Sequence, residues 1–299
     1  MVDTLEHTEK AYDFLWDEGQ DVAPHAEIQR ISREWLLERY CDGDSAVVDR
    51  WLGDQTKIIL DAGCGVGHSA LGLFGGRLRG NYYVGVDLSA TALRAARQRF
   101  RALDYPGVFV NCDLMHIPLL DESADIVLAE GVMHHTDSVR AAMAELTRKL
   151  KPGGLFLGYV YAKKGPAREF TDDHIRQAIA EMSDEDAWKA LMPLTKLGIA
   201  LGELDCEVDV PEDVPLLGIP KGRVSIQRLI YWHFCKMFYR PEYTFEECHR
   251  CNADWFRPLN CHRHTPDEVR KMCDAAGLNI ERMHIEEAGI TIVARKGEQ

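Results

Sequence analysis

Ile58-Ile59-Leu60-Asp61-Ala62-Gly63-Cys64-Gly65-Val66-Gly67 is the stretch that decides the fold. An apolar run ends in an acid, and glycines follow at alternate positions 63, 65 and 67. Lacking side chains, they let a ligand touch the backbone and let the turn take φ angles that other residues avoid. The segment His68 to Phe74 reads as the start of a helix. Its first N–H groups have no intrahelical partners and would face whatever lies over the loop. This is the pattern of a nucleotide-type cofactor site. A nicotinamide or flavin enzyme would prefer Gly-x-Gly-x-x-Gly, whereas here the third glycine comes one position early and residue 68 is His.

Working outward, a second apolar strand, Tyr82-Tyr83-Val84-Gly85-Val86, ends at Asp87, twenty residues beyond Gly67. A carboxylate there can accept both hydroxyls of a ribose. Val108-Phe109-Val110 leads to Asn111-Cys112-Asp113-Leu114, and Asp125-Ile126-Val127-Leu128-Ala129 leads to Glu130-Gly131-Val132-Met133-His134-His135. A helix follows, then Leu150-Lys151-Pro152-Gly153-Gly154 and the strand Leu155-Phe156-Leu157-Gly158-Tyr159-Val160-Tyr161. Strands alternating with helices argue for a parallel, doubly wound sheet, in which ligands sit beyond the C-terminal strand ends. Asp61, Asp87, Asp113 and Glu130 all lie at such ends.

These runs, in this order, resemble the class I S-adenosylmethionine (SAM) dependent methyltransferases, and most nearly their small-molecule group. The resemblance covers about residues 57–161 and returns at 265–296. It implies a Rossmann-like, seven-stranded sheet with the last strand antiparallel and a mainly helical insertion before the last two strands. It divides the chain into an N-terminal helical lid (1–56), a SAM-binding core (57–161 and 265–299) and a substrate-binding insertion (162–264). It implies that Gly63, Gly65 and Gly67 line the methionine part of SAM, with Asp61 near its ammonium group. Asp87, with Leu88 beside it, would bind the ribose; Asp113 the adenine amino group, with Leu114 against the ring; and Glu130 would border the methionyl end. His68 departs from the small residue expected after the loop.

SAM carries its own leaving group, so the protein mostly aligns the acceptor for in-line displacement. An acceptor O–H or N–H must also lose a proton. His134 and His135 follow the fourth strand, and Tyr161 ends the fifth, which makes these three the catalytic candidates. Tyr12, Trp16, His135, Tyr161, His233, Asp254, Trp255 and His264 are the candidate substrate contacts. Tyr12 and Trp16 belong to the N-terminal lid, and Asp254-Trp255 and His262-Arg263-His264 border the return into the sheet.

The insertion is the least regular part. Asp172 to Met182 and Asp184 to Leu191 are expected to be short helices, with Pro193 among the breaks that follow. Glu203 to Val210 alternates strictly, as a half-buried strand does, with its carboxylates on one face. Ser225 to Tyr239 is rich in rings at helical spacing. Cys248, Cys251, Cys261 and His264 have zinc-like spacing, but buried or free thiols account for them better, and no metal is expected. Thr265-Pro266-Asp267-Glu268 reads as a capping box that opens a helix ending at Gly277.

Composition sets bounds. With 299 residues, 46% of them hydrophobic, the chain can bury a substantial core. The formal net charge is −13, and residues 1–50 contribute −8 of it, which weighs against nucleic-acid partners. No membrane segment or signal peptide is evident, and nine cysteines without framework spacing fit reduced thiols in the cytoplasm. The expected product is S-adenosylhomocysteine (SAH) together with a methylated small molecule. Oxygen, nitrogen, sulfur and carbon acceptors all stay open, as does the oligomeric state. The competing readings are a protein or RNA methyltransferase and a SAM-binding protein without methyl transfer.

Overall fold

The structure, a computed structural model, describes residues 4–16 and 26–298. In chain order the elements begin α1 (Thr4–Leu15), α2 (Ala26–Cys41), α3 (Ala46–Leu52), β1 (Ile58–Ala62), α4 (His68–Phe74), β2 (Tyr82–Asp87), α5 (Ala90–Ala102) and β3 (Val108–Asn111). Then come β4 (Ala124–Glu130), α6 (Val139–Lys149), β5 (Leu150–Tyr161), α7 (Pro166–Ile179), α8 (Asp184–Glu203), β6 (Glu207–Val210) and β7 (Gly222–Ser225). The chain closes with α9 (Ile226–His233), α10 (Phe245–Phe256), α11 (Pro266–Ala275), β8 (Leu278–Ile285) and β9 (Gly289–Lys296). These elements form two compact units, one of residues 16–162 and 262–299, the other of 1–15 and 163–261.

The first unit holds a seven-stranded sheet in the order β3-β2-β1-β4-β5-β9-β8. Strands β1 to β5 are parallel to their neighbours, and β9 runs antiparallel to both β5 and β8. Side chains alternate across a strand, and the sheet uses both faces. Leu60, Val127, Ala129 and Phe156 pack on one side with Met143 and Leu146 of α6 and Val269 and Met272 of α11. Ile59, Ile126, Leu128 and Leu157 pack on the other with Leu36 and Tyr40 of α2, Leu73 and Phe74 of α4, and Phe100 of α5. Helices α2 and α3 therefore pack as a layer of this unit. Asp42 and Gly43 end α2 with φ of 51° and 76°. Leu36 lies against Gly72, where a Cβ would meet Leu36 Cδ1 at 2.9 Å.

The second unit is mainly helical: α1, α7 to α10 and the hairpin β6–β7. Its core is more polar than the sheet's. Thr195, His249 and Asn252 are fully buried. The Thr195 hydroxyl meets His249 Nδ1 at 2.7 Å and accepts from Asn252 Nδ2 at 2.9 Å, and His249 Nε2 lies 3.0 Å from the Trp188 carbonyl. Burial holds His249 below its ordinary pKa. This network ties α8 to α10 and explains why α8 runs through Pro193 for 20 residues, rather than ending where the sequence suggested. The expected strand from residue 203 is likewise only Glu207–Val210, because Glu203 closes α8. Its carboxylates do face solvent, and Glu207 pairs with Arg223 across the hairpin.

Candidate active site

In the sheet unit the strand order reverses between β1 and β4, which opens the crevice where such sheets bind ligands. The loop after β1 is shaped by its glycines. Gly63, Gly65 and Gly67 have φ of 68°, 50° and 80°, all left-handed. A Cβ on Gly63 would lie 2.2 Å from Val132 Cγ2, and one on Gly67 would lie 2.7 Å from Phe100 Cε2. These two glycines permit close packing. Gly65 and Gly131 differ, since a Cβ would meet only Trp16 at 3.9 Å in the first case and nothing within 4 Å in the second. Their backbones border open space, where a ligand can lie.

Acidic residues stand at the ends of β1, β2 and β4 and just after β3. Asp61 is 2% exposed and its Oδ2 accepts from the Tyr83 hydroxyl at 2.7 Å. Burial pushes its pKa up to about 7; the Tyr83 bond acts against the shift, and the charges of Asp87 and Glu130 add to it. Asp87 accepts from the Gly65 amide at 2.7 Å and the Ser89 amide at 2.8 Å, so it ties the glycine loop to the end of β2. Asn111 supports the same corner by donating to the carbonyls of Asp87 and Leu88, at 3.1 and 2.7 Å. Asp113 accepts from the Met115 amide and meets His116 Nδ1, both at 3.0 Å, with Leu114 buried beside it.

Glu130, expected to border the methionyl end, has both carboxylate oxygens engaged by α2. Its Oε1 accepts from Arg39 Nη2 at 2.5 Å and its Oε2 from the Tyr40 hydroxyl at 2.6 Å. Arg39 is fully buried, donates to Thr291 at 2.9 Å, and lies between the faces of Trp35 (3.7 Å) and Tyr159 (4.3 Å). Glu130 thus clamps α2 to the sheet. The sequence reading missed Arg39, although it follows Trp35 by four positions and so shares its helix face.

Beyond β4 and β5 lies a cluster of rings. His134 is fully buried and stacks on Tyr161 at 3.6 Å with a 28° tilt. His135, 6% exposed, meets His134 edge-on at 4.4 Å and Tyr161 at 5.8 Å. The returning segment joins them: the His262 amide donates to the His134 carbonyl and the His264 amide to that of Tyr161, both at 2.9 Å. In extended backbone, residues two apart share a side, and the rings of His262 and His264 lie 6.4 Å apart. Sequence positions 134, 135, 161, 262 and 264 are thereby brought together in one unit.

The other candidates fall elsewhere. Trp16 belongs to the sheet unit beside the glycine loop, whereas Tyr12, His233, Asp254 and Trp255 belong to the helical unit. Trp255 is buried and its indole donates to Asp172 at 2.9 Å. Among the described residues no group of three or more His, Cys, Asp or Glu is arranged to hold a metal ion, Cys248, Cys251, Cys261 and His264 included.

A Rossmann-like sheet with this strand order, a left-handed glycine loop and acids at the strand ends is the architecture that the resemblance to class I SAM-dependent methyltransferases implies. Residues 60–158 match the family described as Methyltransferase domain and are such a domain. The malonyl-[acyl-carrier protein] O-methyltransferase of Yersinia pestis is 38% identical over 108 residues, which are 36% of this chain and 38% of that one. The protein so named in Marinomonas sp. (strain MWYL1) is 28% identical over 187 residues, 58% of this chain and 68% of that one. The chain thus spans little more than a third of the first relative's length. The structure of magnesium protoporphyrin IX methyltransferase from Synechocystis PCC 6803 with bound SAM has the same fold, with a TM-score of 0.52, 13% identity and 99% of each chain covered. Among the described residues no helix is long and apolar enough to cross a membrane.

The residues present fit SAM chemically. Its ammonium, sulfonium, ribose hydroxyls and adenine amino group are all cations or hydrogen-bond donors, and the site offers carboxylates. Bound SAM supplies an electrophilic methyl group and its own leaving group.

Proposed function

We propose that this chain transfers the methyl group of SAM to an ionisable atom of a small-molecule acceptor. The observation that carries this reading is the cluster of His134, His135, Tyr161, His262 and His264 beyond the ends of β4 and β5. Gly63, Gly65 and Gly67 shape the cofactor loop, Asp61 compensates the ammonium group, Asp87 and Leu88 border the ribose, and Asp113 and Leu114 border the adenine. Glu130 acts indirectly, by holding α2 against the sheet. His135 is the proton acceptor in this reading, because it keeps some surface while His134 has none and instead sets the ring plane of Tyr161. Tyr161 and His264 orient the acceptor. The nine free thiols support a reducing, cytoplasmic setting.

The test is SAH release from SAM with a panel of small metabolites. Because the relatives named above are O-methyltransferases of a carrier-borne malonyl group, the panel includes organic acids both free and linked to an acyl-carrier protein. His135→Ala should lower kcat roughly 10²- to 10⁴-fold, the usual range for a positioned base, with SAH affinity unchanged. Turnover only with the carrier-linked acid would replace the small-molecule acceptor by a protein-borne one. SAH binding without turnover of any acceptor would overturn the proposal.

A further inference from the structure

Several arginines of the sheet unit stand against carboxylates: Arg77 pairs with Asp49, Arg148 with Asp121 and Glu145, Arg282 with Asp42, and Arg295 with Glu281. Arg79, Arg97 and Arg101 do not. Among the described residues none of the three forms an ion pair. Arg79 Nη2 donates to the Leu103 carbonyl at 3.2 Å and Arg97 Nη2 to the Phe109 carbonyl at 2.8 Å, while the guanidinium of exposed Arg101 makes no hydrogen bond. Arg97 and Arg101 are four apart on α5, and like charges at that spacing repel. The negative end of the helix dipole accounts for one cation in the last turn, and Arg99, which donates to the Val66 carbonyl at 2.9 Å, already supplies it.

Two of the three arginines line a cavity, and the third flanks it. The cavity has about 390 Å³, lies open to solvent between α5 and the start of β3, and is bounded by Arg97, Arg101, Phe100, Tyr105, Gly107 and Phe109. Phe100 is buried, and the rings of Tyr105 and Phe109 stand at 74° and 85° to it, 6.2 and 5.2 Å away. The Arg79 guanidinium lies 5.0 Å from the centre of the Tyr105 ring. Gly107 keeps the space open, since a Cβ there would lie 3.0 Å from Phe109 and 3.3 Å from Phe100. No strand-end acid lines this cavity, so it is separate from the cofactor crevice.

We infer that the cavity binds a phosphate group carried on a planar ring, a ligand of the nucleoside-monophosphate type. Guanidinium forks match phosphate oxygens two at a time. A phosphomonoester carries close to two negative charges at pH 7, which suits three arginines better than one carboxylate does. The exposed edges of the ring cluster give the attached ring a surface to stack on. One small cavity in a chain of net charge −13 suits a mononucleotide and not a polynucleotide.

The experiment is calorimetric titration of the full chain, saturated with SAH to fill the cofactor crevice, with AMP and with UMP. Adenosine and uridine serve as uncharged controls and inorganic phosphate as the ringless anion. Both nucleotides should bind at least tenfold tighter than phosphate, and the nucleosides should not bind. Arg101→Gln should weaken both nucleotides at least tenfold, with SAH affinity and thermal unfolding unchanged because its guanidinium holds nothing in the fold. Arg97→Gln should weaken them as much. Gly107→Ala, which sets a methyl group against the rings, should weaken the nucleotides and leave phosphate affinity alone. No nucleotide binding, or full binding by Arg101→Gln, overturns the site. Binding of AMP and UMP that vanishes once SAH is present assigns them to the cofactor crevice and overturns it too. Phosphate binding as tight as the nucleotides overturns the ring half of the ligand, and tighter binding of an oligonucleotide than of either monomer overturns the small-ligand class.

Discussion

The two units concentrate opposite charge. Beyond its strand ends the sheet unit gathers Asp61, Asp87 and Asp113, while the helical unit buries Arg168, Arg176, Lys236 and Arg257 and half-buries Lys164. The whole-chain charge of −13 predicts neither arrangement. What decides recognition is the charge left over after internal pairing. On that measure the sheet unit, with buried Asp61 among its strand-end acids, suits a cation at that end.

The largest expected effect strikes the helical half. Asp172→Ala would leave the Arg168 guanidinium buried without its carboxylate and strip an acceptor from Trp255 and Lys236. Breaking a buried pair from one side typically costs about 3–5 kcal/mol. Urea unfolding should show that loss, while Arg223→Ala, which removes an exposed pair in the hairpin, should cost less than about 1 kcal/mol. Near-equal losses would mean that the polar core is not what holds this unit together.

The next strikes the sheet half. Gly63→Ala places a Cβ 2.2 Å from Val132 at a φ of 68°, so the loop must shift. A strained residue of this kind costs about 1–3 kcal/mol, and SAH affinity should fall on the order of a hundredfold. Gly131→Ala, whose Cβ meets nothing, isolates the cost of the left-handed backbone and should weaken SAH less. If the two are indistinguishable, contact with Val132 does not shape the loop.

The same contrast explains what was legible in the sequence. Strands of the sheet unit announce themselves because each alternate residue must enter one of two apolar layers, and the glycine loop because three positions need left-handed backbone. The capping box at Thr265 and the stop at Gly277 were equally readable, since both are local. The helical unit resists because its order is long-range. Pro193 is tolerated within α8 through contacts with α10, more than fifty residues away. Glu130 was legible as a strand-end acid, but not that Arg39, 91 positions earlier, would claim it.

The smallest effect is the finest test of the charge assignment. Asp61 carries a pKa of about 7 in the sheet unit, against an ordinary value of 3.8. A raised carboxyl pKa means that the folded protein holds a proton the unfolded chain has released between about pH 4 and 7. The stability of the unliganded protein should therefore be greatest below that window, fall as pH rises through it, and level off above 7. A bound cation favours the carboxylate and reverses the preference, so SAM should bind with proton release on the acid side of 7. Its affinity should drop close to tenfold for each pH unit below 7, read by calorimetry at pH 7.0 and 6.0. Asp61→Asn should bind more weakly at neutral pH and lose this slope. A slope that survives in Asp61→Asn would move the ammonium's partner to another carboxylate, and leave Asp61 as a strut for Tyr83.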